Sequence, residues 1–365
     1  MKKTLAFVLM LAMVFALAAG CAQQDANTSQ SPAAEESASL IATDAPAATT
    51  GVDVSKLKVA LLLPTPVNDG GWSETAYNGL KLIEETYGVE TQFVESLAQS
   101  DFEEMFRSFA SSGYNVIFGH GYQFGDAAMK VALDYPEVKF IITSTDISQA
   151  PNVASMNTTP IQCGVIQGTA AAYATKTKVI GAIGGAVMPP ITDDLNGFAA
   201  GVLNVDPSIK VLLKLTGDFE DAGLAKETAQ AMIEEGADVI MYNLTSAATG
   251  VLEAVKANNI IAIPAISNQN DLAPDNILLS GVTDVTKGIF YVFSQIAEGK
   301  FEPKFYELGV DTGCVYYVPN EKIYDKVLTQ EGQDAVESIF KKIESHEIDA
   351  YDLVDKVVPS TLKVG

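Results

Sequence analysis

The sequence predicts an α/β protein of two lobes, each a parallel sheet flanked by helices, joined by three crossings. Three observations carry that expectation. Short apolar runs alternate with stretches of helical period from Lys56 onward, the signature of parallel sheets. The first run, Val59 to Leu63, is unbroken, as in a strand buried on both faces. The alternation is interrupted near Asn152–Asn157, Leu278–Thr283 and Asp311–Val315, and each interruption is read as a crossing.

Taken in order, Pro64 and Pro66 stop the first strand, because proline cannot extend a sheet ladder. Asn68, Asp69, Gly70 and Gly71 form a turn, Ser73 is expected to cap a helix, and Ala76, Leu80, Ile83 and Tyr87 recur at helical spacing. In open α/β sheets the loop after a strand lines the ligand crevice. Trp72, the sole tryptophan, stands at the end of this loop, as a packing or lid residue or as a stacking platform. Val89–Val94 is the second strand. Asp101 is placed to cap a helix carrying Met105, Phe106 and Phe109. Val116–Phe118 is the third strand, followed by the glycine-rich loop Gly119–Asp126, a helix to Leu133 and the fourth strand, Phe140–Thr143.

Beyond the first crossing, Gly164–Ala174 is a helix of small residues suited to close packing. Strands are then expected at Val179–Ile183, Lys210–Leu215, Val239–Tyr242 and Ile260–Ile263. Helices are expected at Asp193–Val202, Gly223–Glu235, Gly250–Asn258 and Val285–Ala297, with charged helical segments over Lys322–Ile343. Two such lobes make a hinged clamp whose closure buries a ligand.

The composition excludes several classes. With 46 acidic against 23 basic residues, the net charge is −23, which argues against nucleic acid and against docking on an anionic membrane surface. The 365 residues, 48% hydrophobic, are enough for two domains. The three cysteines, Cys21, Cys163 and Cys314, have no metal-ligand spacing, so no metal site is expected. Only His120 and His346 could serve a catalytic triad; His120 ends a strand within reach of a ligand, and His346 lies in a charged, solvated segment.

Lys2 and Lys3 precede an apolar run, Leu5–Ala19, shorter than a spanning helix needs. It ends in Leu17-Ala18-Ala19-Gly20-Cys21, which resembles a bacterial lipoprotein signal with lipid on Cys21; an ordinary signal peptide is the alternative. Ala22 onward is rich in Ala, Ser, Thr and Gln, too polar to fold, and reads as a tether. The expected organisation is a signal at 1–21 and a tether at 22–55. The first lobe takes 56–157 with 284–312 and part of the C-terminus, and the second takes 158–283. The last crossing and closing helices occupy 313–365.

Several segments together resemble the basic membrane protein family of transporter-linked lipoproteins, the purine-nucleoside-receptor type. They are residues 68–79 (NDGGWSETAYNG), 119–127 (GHGYQFGDA), 135–140 (YPEVKF), 152–155 (NVAS), 184–191 (GGAVMPPI), 197–201 (GFAAG), 217–221 (GDFED) and 234–240 (EEGADVI). The resemblance implies a type I periplasmic-binding-protein fold. It implies capture of a purine nucleoside or base, delivery to an ABC permease, a lipid anchor on the outer face of the cell membrane, no cofactor and a monomer. Carried over by position, Asp69 would meet the base, and Trp72 would lie against it. Tyr122 and Phe124 would belong to the aromatic loop, Phe219 would face Trp72 across the cleft, and Asn243 and Thr245 with Ser246 would stand in a ligand loop. Ser144 replaces an aspartate, with Asp146 two residues on. Ile266 stands where an aspartate commonly holds ribose, and Asp284 where a lysine is common; both departures put sugar contacts in doubt and favour a free base or another flat polar ligand.

A flat purine needs aromatic faces and hydrogen-bonding edges, each stacking contact contributing about 1–3 kcal/mol. Trp72, Tyr122 and Phe219 are candidate faces; Asn68, Asp69 and Asn268, beside Ser267, are candidate edges. Two other classes stay open: a nucleoside hydrolase using Asp69 and Asp146, and a sensory surface protein without transport.

Overall fold

The computed structural model describes residues 52–68 and 72–365. The signal, Cys21 and Asp69 lie outside the described residues.

Strand β1 (Lys58–Leu62) pairs in parallel with β2 (Glu90–Val94) and β3 (Val116–Gly119). Next come β4 (Lys139–Thr143), β5 (Val153–Thr158) and β11 (Phe305–Leu308), completing a six-stranded sheet of order β11-β5-β4-β3-β1-β2. Every pairing is parallel, so all carboxyl ends lie along one edge. Helices α1 (Trp72–Tyr87), α2 (Phe102–Ser111), α3 (Gly125–Ala132) and α8 (Val285–Ala297) cover its faces. On one face Val59, Leu61 and Phe118 pack with Leu80, Ile83 and Phe293. On the other, Ala60, Leu62 and Ile117 pack with Phe106, Phe109 and Phe124. Alternate residues of β1 thus feed opposite cores, which is why the run carries no polar position.

The second sheet has the order β7-β6-β8-β9: β6 (Val179–Gly184), β7 (Lys210–Leu215), β8 (Val239–Asn243) and β9 (Ile261–Pro264), again all parallel. Its helices are α4 (Pro160–Ala174), α5 (Pro189–Val205), α6 (Ala222–Glu234) and α7 (Ala248–Asn258). Helices α4 and α5 meet backbone to backbone. A Cβ on Gly164 or Gly168 would sit 2.1 or 2.0 Å from a carbonyl oxygen of α5, and one on Gly197 or Gly201 would sit 2.2 Å from one of α4. The two glycine pairs, each four residues apart, therefore interlock.

The crossings follow from the topology. The chain leaves the first sheet at the carboxyl end of β5 and enters α4. It returns through β10 (Leu279–Thr283) to the start of α8, and leaves again after β11 through β12 (Val315–Pro319), antiparallel to β10. All three depart from the first sheet's carboxyl edge, so that edge faces the second lobe.

Several expectations need correction. Asn152–Asn157 is not a crossing: most of Val153–Thr158 is buried as an interior strand, and the crossing comes at Thr159. Phe305–Leu308 forms an edge strand too short to show its period. The C-terminal helices α10 (Gln330–Glu344) and α11 (Ala350–Val357), preceded by the short α9 (Tyr324–Val327), join the second lobe's core, not the first's. Val336, Ile339, Leu353 and Val354 lie in one cluster with Ile166 and Ala170. Ser73 does not cap α1; it lies inside the helix, fully buried, 2.6 Å from the Thr65 hydroxyl. Asp101 takes the N-cap position of α2 without a side-chain cap bond. Asp221, Asp284, Thr329 and Asp349 do cap their helices through the side chain.

Candidate functional site at the facing strand ends

In the first lobe, Trp72 opens α1 just beyond β1, and His120 follows β3. Their rings stack at 4.0 Å between centres with 26° between planes. His120 is fully buried, whereas Trp72 is 38% exposed, so the indole stacked on the imidazole keeps part of its surface open to solvent. His120 Nε2 lies 2.9 Å from the Trp72 carbonyl, and Nδ1 lies 2.9 Å from the Thr143 hydroxyl at the end of β4. Tyr122, 65% exposed, stands on the next turn. Ser144 is half-buried in a left-handed conformation, φ 58°, its N–H donating to the Met156 carbonyl at 2.8 Å. Asn68 and Asp146 are exposed.

Phe124 departs from expectation. It is fully buried, stacked on Phe102 at 3.8 Å, and belongs to the first lobe's interior rather than to a ligand surface. The cause is the turn Tyr122–Phe124, which sends residues two apart in opposite directions: Tyr122 outward and Phe124 inward.

In the second lobe, the half-buried Phe219 ring follows β7 and lies on Gly185 after β6, where a Cβ would come within 2.2 Å of it. Thr245 donates to the Phe219 carbonyl at 2.8 Å and to Glu220 at 3.0 Å; Ser246 donates to the same carboxylate. These bonds tie the loops after β7 and β8 together. Asn243, at the end of β8, is 95% removed from solvent and donates to Asp194 Oδ2 at 2.6 Å. Burial pushes the Asp194 carboxyl up to about 7, an effect moderated by that bond. Ser267 and Asn268 are exposed after β9, next to Ile266, whose φ of 80° is strained for a β-branched residue.

Asp284 caps α8 through the Lys287 N–H at 2.9 Å and accepts from the Tyr316 hydroxyl at 3.2 Å, while Lys287 Nζ sits 4.2 Å over the Tyr316 ring. The acid is thus engaged in the hinge. Thr143 and Asp194 were not singled out from sequence: one reads as a strand end, the other as a helix-surface acid, and only the fold shows each buried. Among the described residues no group of three or more His, Cys, Asp or Glu is placed to hold a metal ion.

Two parallel α/β lobes with facing carboxyl edges and three crossings define the type I periplasmic-binding-protein fold of solute-binding proteins. Solved structures share it. A solute-binding protein of an ABC transporter system from Aeropyrum pernix K1 matches with TM-score 0.66 and 22% identity over 80% of this chain and 92% of that one. A transcriptional activator of the comK gene from Bacillus halodurans matches with TM-score 0.71 and 23% identity over 80% and 99%. The family model for PnrA-like ABC transporter substrate-binding proteins, Bmp, matches residues 56–352, and the chain belongs to that family. It is therefore a substrate-binding protein and not an enzyme. A nucleoside-binding protein of an ABC transporter from Lactococcus lactis is 30% identical over 71% of this chain and 70% of its own length. A purine-binding protein from Brucella abortus is 28% identical over 78% and 81%. The transcriptional activator protein med from Bacillus subtilis is 29% identical over 71% and 80%.

Proposed function

We propose that this protein is a lipoprotein, anchored through Cys21 on the outer face of the cell membrane, that captures a purine nucleoside or purine base between its lobes and hands it to an ABC permease. The observation that carries the reading is the partly exposed Trp72 ring stacked on buried His120 at the first lobe's strand ends. A rigid aromatic face is what a flat heterocycle stacks on. In this reading Asn68, Asp69, Tyr122, Ser144 and Asp146 complete the first wall. Phe219, Asn243, Thr245, Ser267 and Asn268 form the second. The names of the Lactococcus and Brucella relatives, nucleoside-binding and purine-binding, agree with it. With Asp284 held in the hinge and Ile266 where an acid would grip ribose, a free base such as hypoxanthine is favoured over inosine.

The test is mass spectrometry of small molecules released from natively purified protein, followed by calorimetry with hypoxanthine, guanine, inosine and adenosine. A released purine and saturable binding support the reading; a different compound class and no purine binding sink it. A second reading, a sensor without transport, draws on the relative from Bacillus subtilis named as a transcriptional activator. Purine uptake by cells lacking this chain separates the two: transport predicts a loss, sensing predicts none.

A further inference from the structure

Three elements, β1, α1 and β4, bond to His120 where it follows β3. The His120 backbone N–H donates to the Leu62 carbonyl of β1 at 2.9 Å, which fixes the residue beside the first strand. Its ring Nε2 faces the Trp72 carbonyl at the start of α1, and its Nδ1 faces the Thr143 hydroxyl at the end of β4. That hydroxyl also accepts the Gly121 N–H at 2.8 Å. A carbonyl can only accept, so Nε2 carries the proton. The Thr143 oxygen receives the Gly121 N–H and keeps its own hydrogen free to be donated to Nδ1, 2.9 Å away. One arrangement satisfies all three bonds, with the proton on Nε2 and Nδ1 accepting from Thr143. Thr143 is 1% exposed, so water does not compete for this hydroxyl.

We propose that His120 is a positioning residue: held by Thr143 in a single tautomer, it fixes the backbone of Trp72 by a hydrogen bond and the indole by stacking, so that one indole face is presented to the ligand in a set orientation. The proposal rests on the reading of Trp72 as a ligand platform for its effect on binding, but not for its effect on the indole itself. A Trp ring at a helix start, on a loop of glycines, has two free torsions. Stacking at 4.0 Å on a ring tied down at both nitrogens, on a residue whose backbone is also bonded, removes that freedom before the ligand arrives. The ordering entropy of an interface side chain is then not lost again on binding.

Because Trp72 is the only tryptophan, its emission and acrylamide quenching read the indole directly. Four full-chain variants separate the contributions. H120N keeps a donor and removes the ring; H120F keeps a ring and removes both side-chain bonds. T143V removes the hydroxyl, and T143S restores it. The expected result is altered emission and at least about twofold faster quenching in H120N, intermediate values in H120F and T143V, and wild-type behaviour in T143S. Hypoxanthine and inosine, used as probes in calorimetry, should lose about tenfold in affinity to H120N, the loss of one stacking-scale contribution. Wild-type emission, quenching and affinity in H120N would overturn the proposal. If H120N does not fold by circular dichroism, T143V against T143S decides the question, and equal spectra for those two overturn it. If wild-type protein binds neither probe, the purine reading fails while the emission and quenching comparison still decides the role of His120.

Discussion

Asp194 on α5 and Asn243 at the end of β8 share a 2.6 Å hydrogen bond inside the second lobe, and the Oδ1 atom of each has no hydrogen-bond partner among the described residues. A buried carboxyl with one bond and one unmatched oxygen is better tolerated neutral than charged. Burial accordingly pushes it up to about 7 from 3.8. The folded state holds this proton where the unfolded chain has released it. The group's contribution to stability is therefore full below about pH 4 and is lost as pH rises through 7. Asp194→Asn should stabilise the protein at pH 8 relative to wild type, by at most about 4 kcal/mol, and change little at pH 4. Urea unfolding of both proteins at the two pH values measures this; an equal difference at both would refute it.

The α4–α5 contact is the least forgiving place in the fold for added volume. Gly168→Ala places a methyl 2.0 Å from the Phe198 carbonyl oxygen, which is backbone on both sides and cannot rotate away. The helices must separate, and the expected loss is about 3 kcal/mol or more, at the upper end for overpacking. A thermal melt reads it, and an unchanged midpoint would mean that the helices are less tightly apposed than described.

Trp72 and Phe124 should fail in opposite ways. Trp72→Ala should weaken purine binding by about 10- to 100-fold, the scale of one stacking contact, while barely moving the melting temperature. Phe124→Ala should cost about 3–5 kcal/mol of stability, as for a buried aromatic, yet leave the affinity of the folded fraction close to wild type. Calorimetry beside thermal melts distinguishes them. In the unmodified chain, adding the purine should quench or shift Trp72 emission.

Cys163 and Cys314 are both free and buried. Burial raises the Cys163 thiol, with the nearby Asp194 adding to it, and raises Cys314 to about 11. Neither offers a thiolate at neutral pH. Peptide mapping after iodoacetamide at pH 8 should find both unmodified in native protein and both modified in urea, with the melting temperature unaffected by reductant.

Much of this was legible because apolar period and punctuation are local properties. The run Val59–Leu63 showed its double burial directly, and the small residues Gly164 and Gly168 announced a close helix contact before its partner was known. The order of motifs from Asn68 to Ile240 was enough to point to the family. What stayed hidden depends on partners distant in sequence. β11 shows no period in four residues and exists because β5 has an open edge beside it. The amphipathic faces of α10 and α11 say that they pack, not on which lobe. At the site, Phe124 and Tyr122 look alike in sequence, and only the turn between them decides which becomes core. Asp194 reads as one more acid in an acidic chain until β8 brings Asn243 against it.

The threading of the chain between lobes bears on how the protein is made. The first sheet lacks its β11 edge until Leu308 has been synthesised, and the second lobe's core waits for Val354 and Val358. No contiguous stretch emerging from the ribosome encodes a finished half. Both halves reach completion only when translation is nearly over, so the nascent polypeptide stays short of its native form through most of its synthesis.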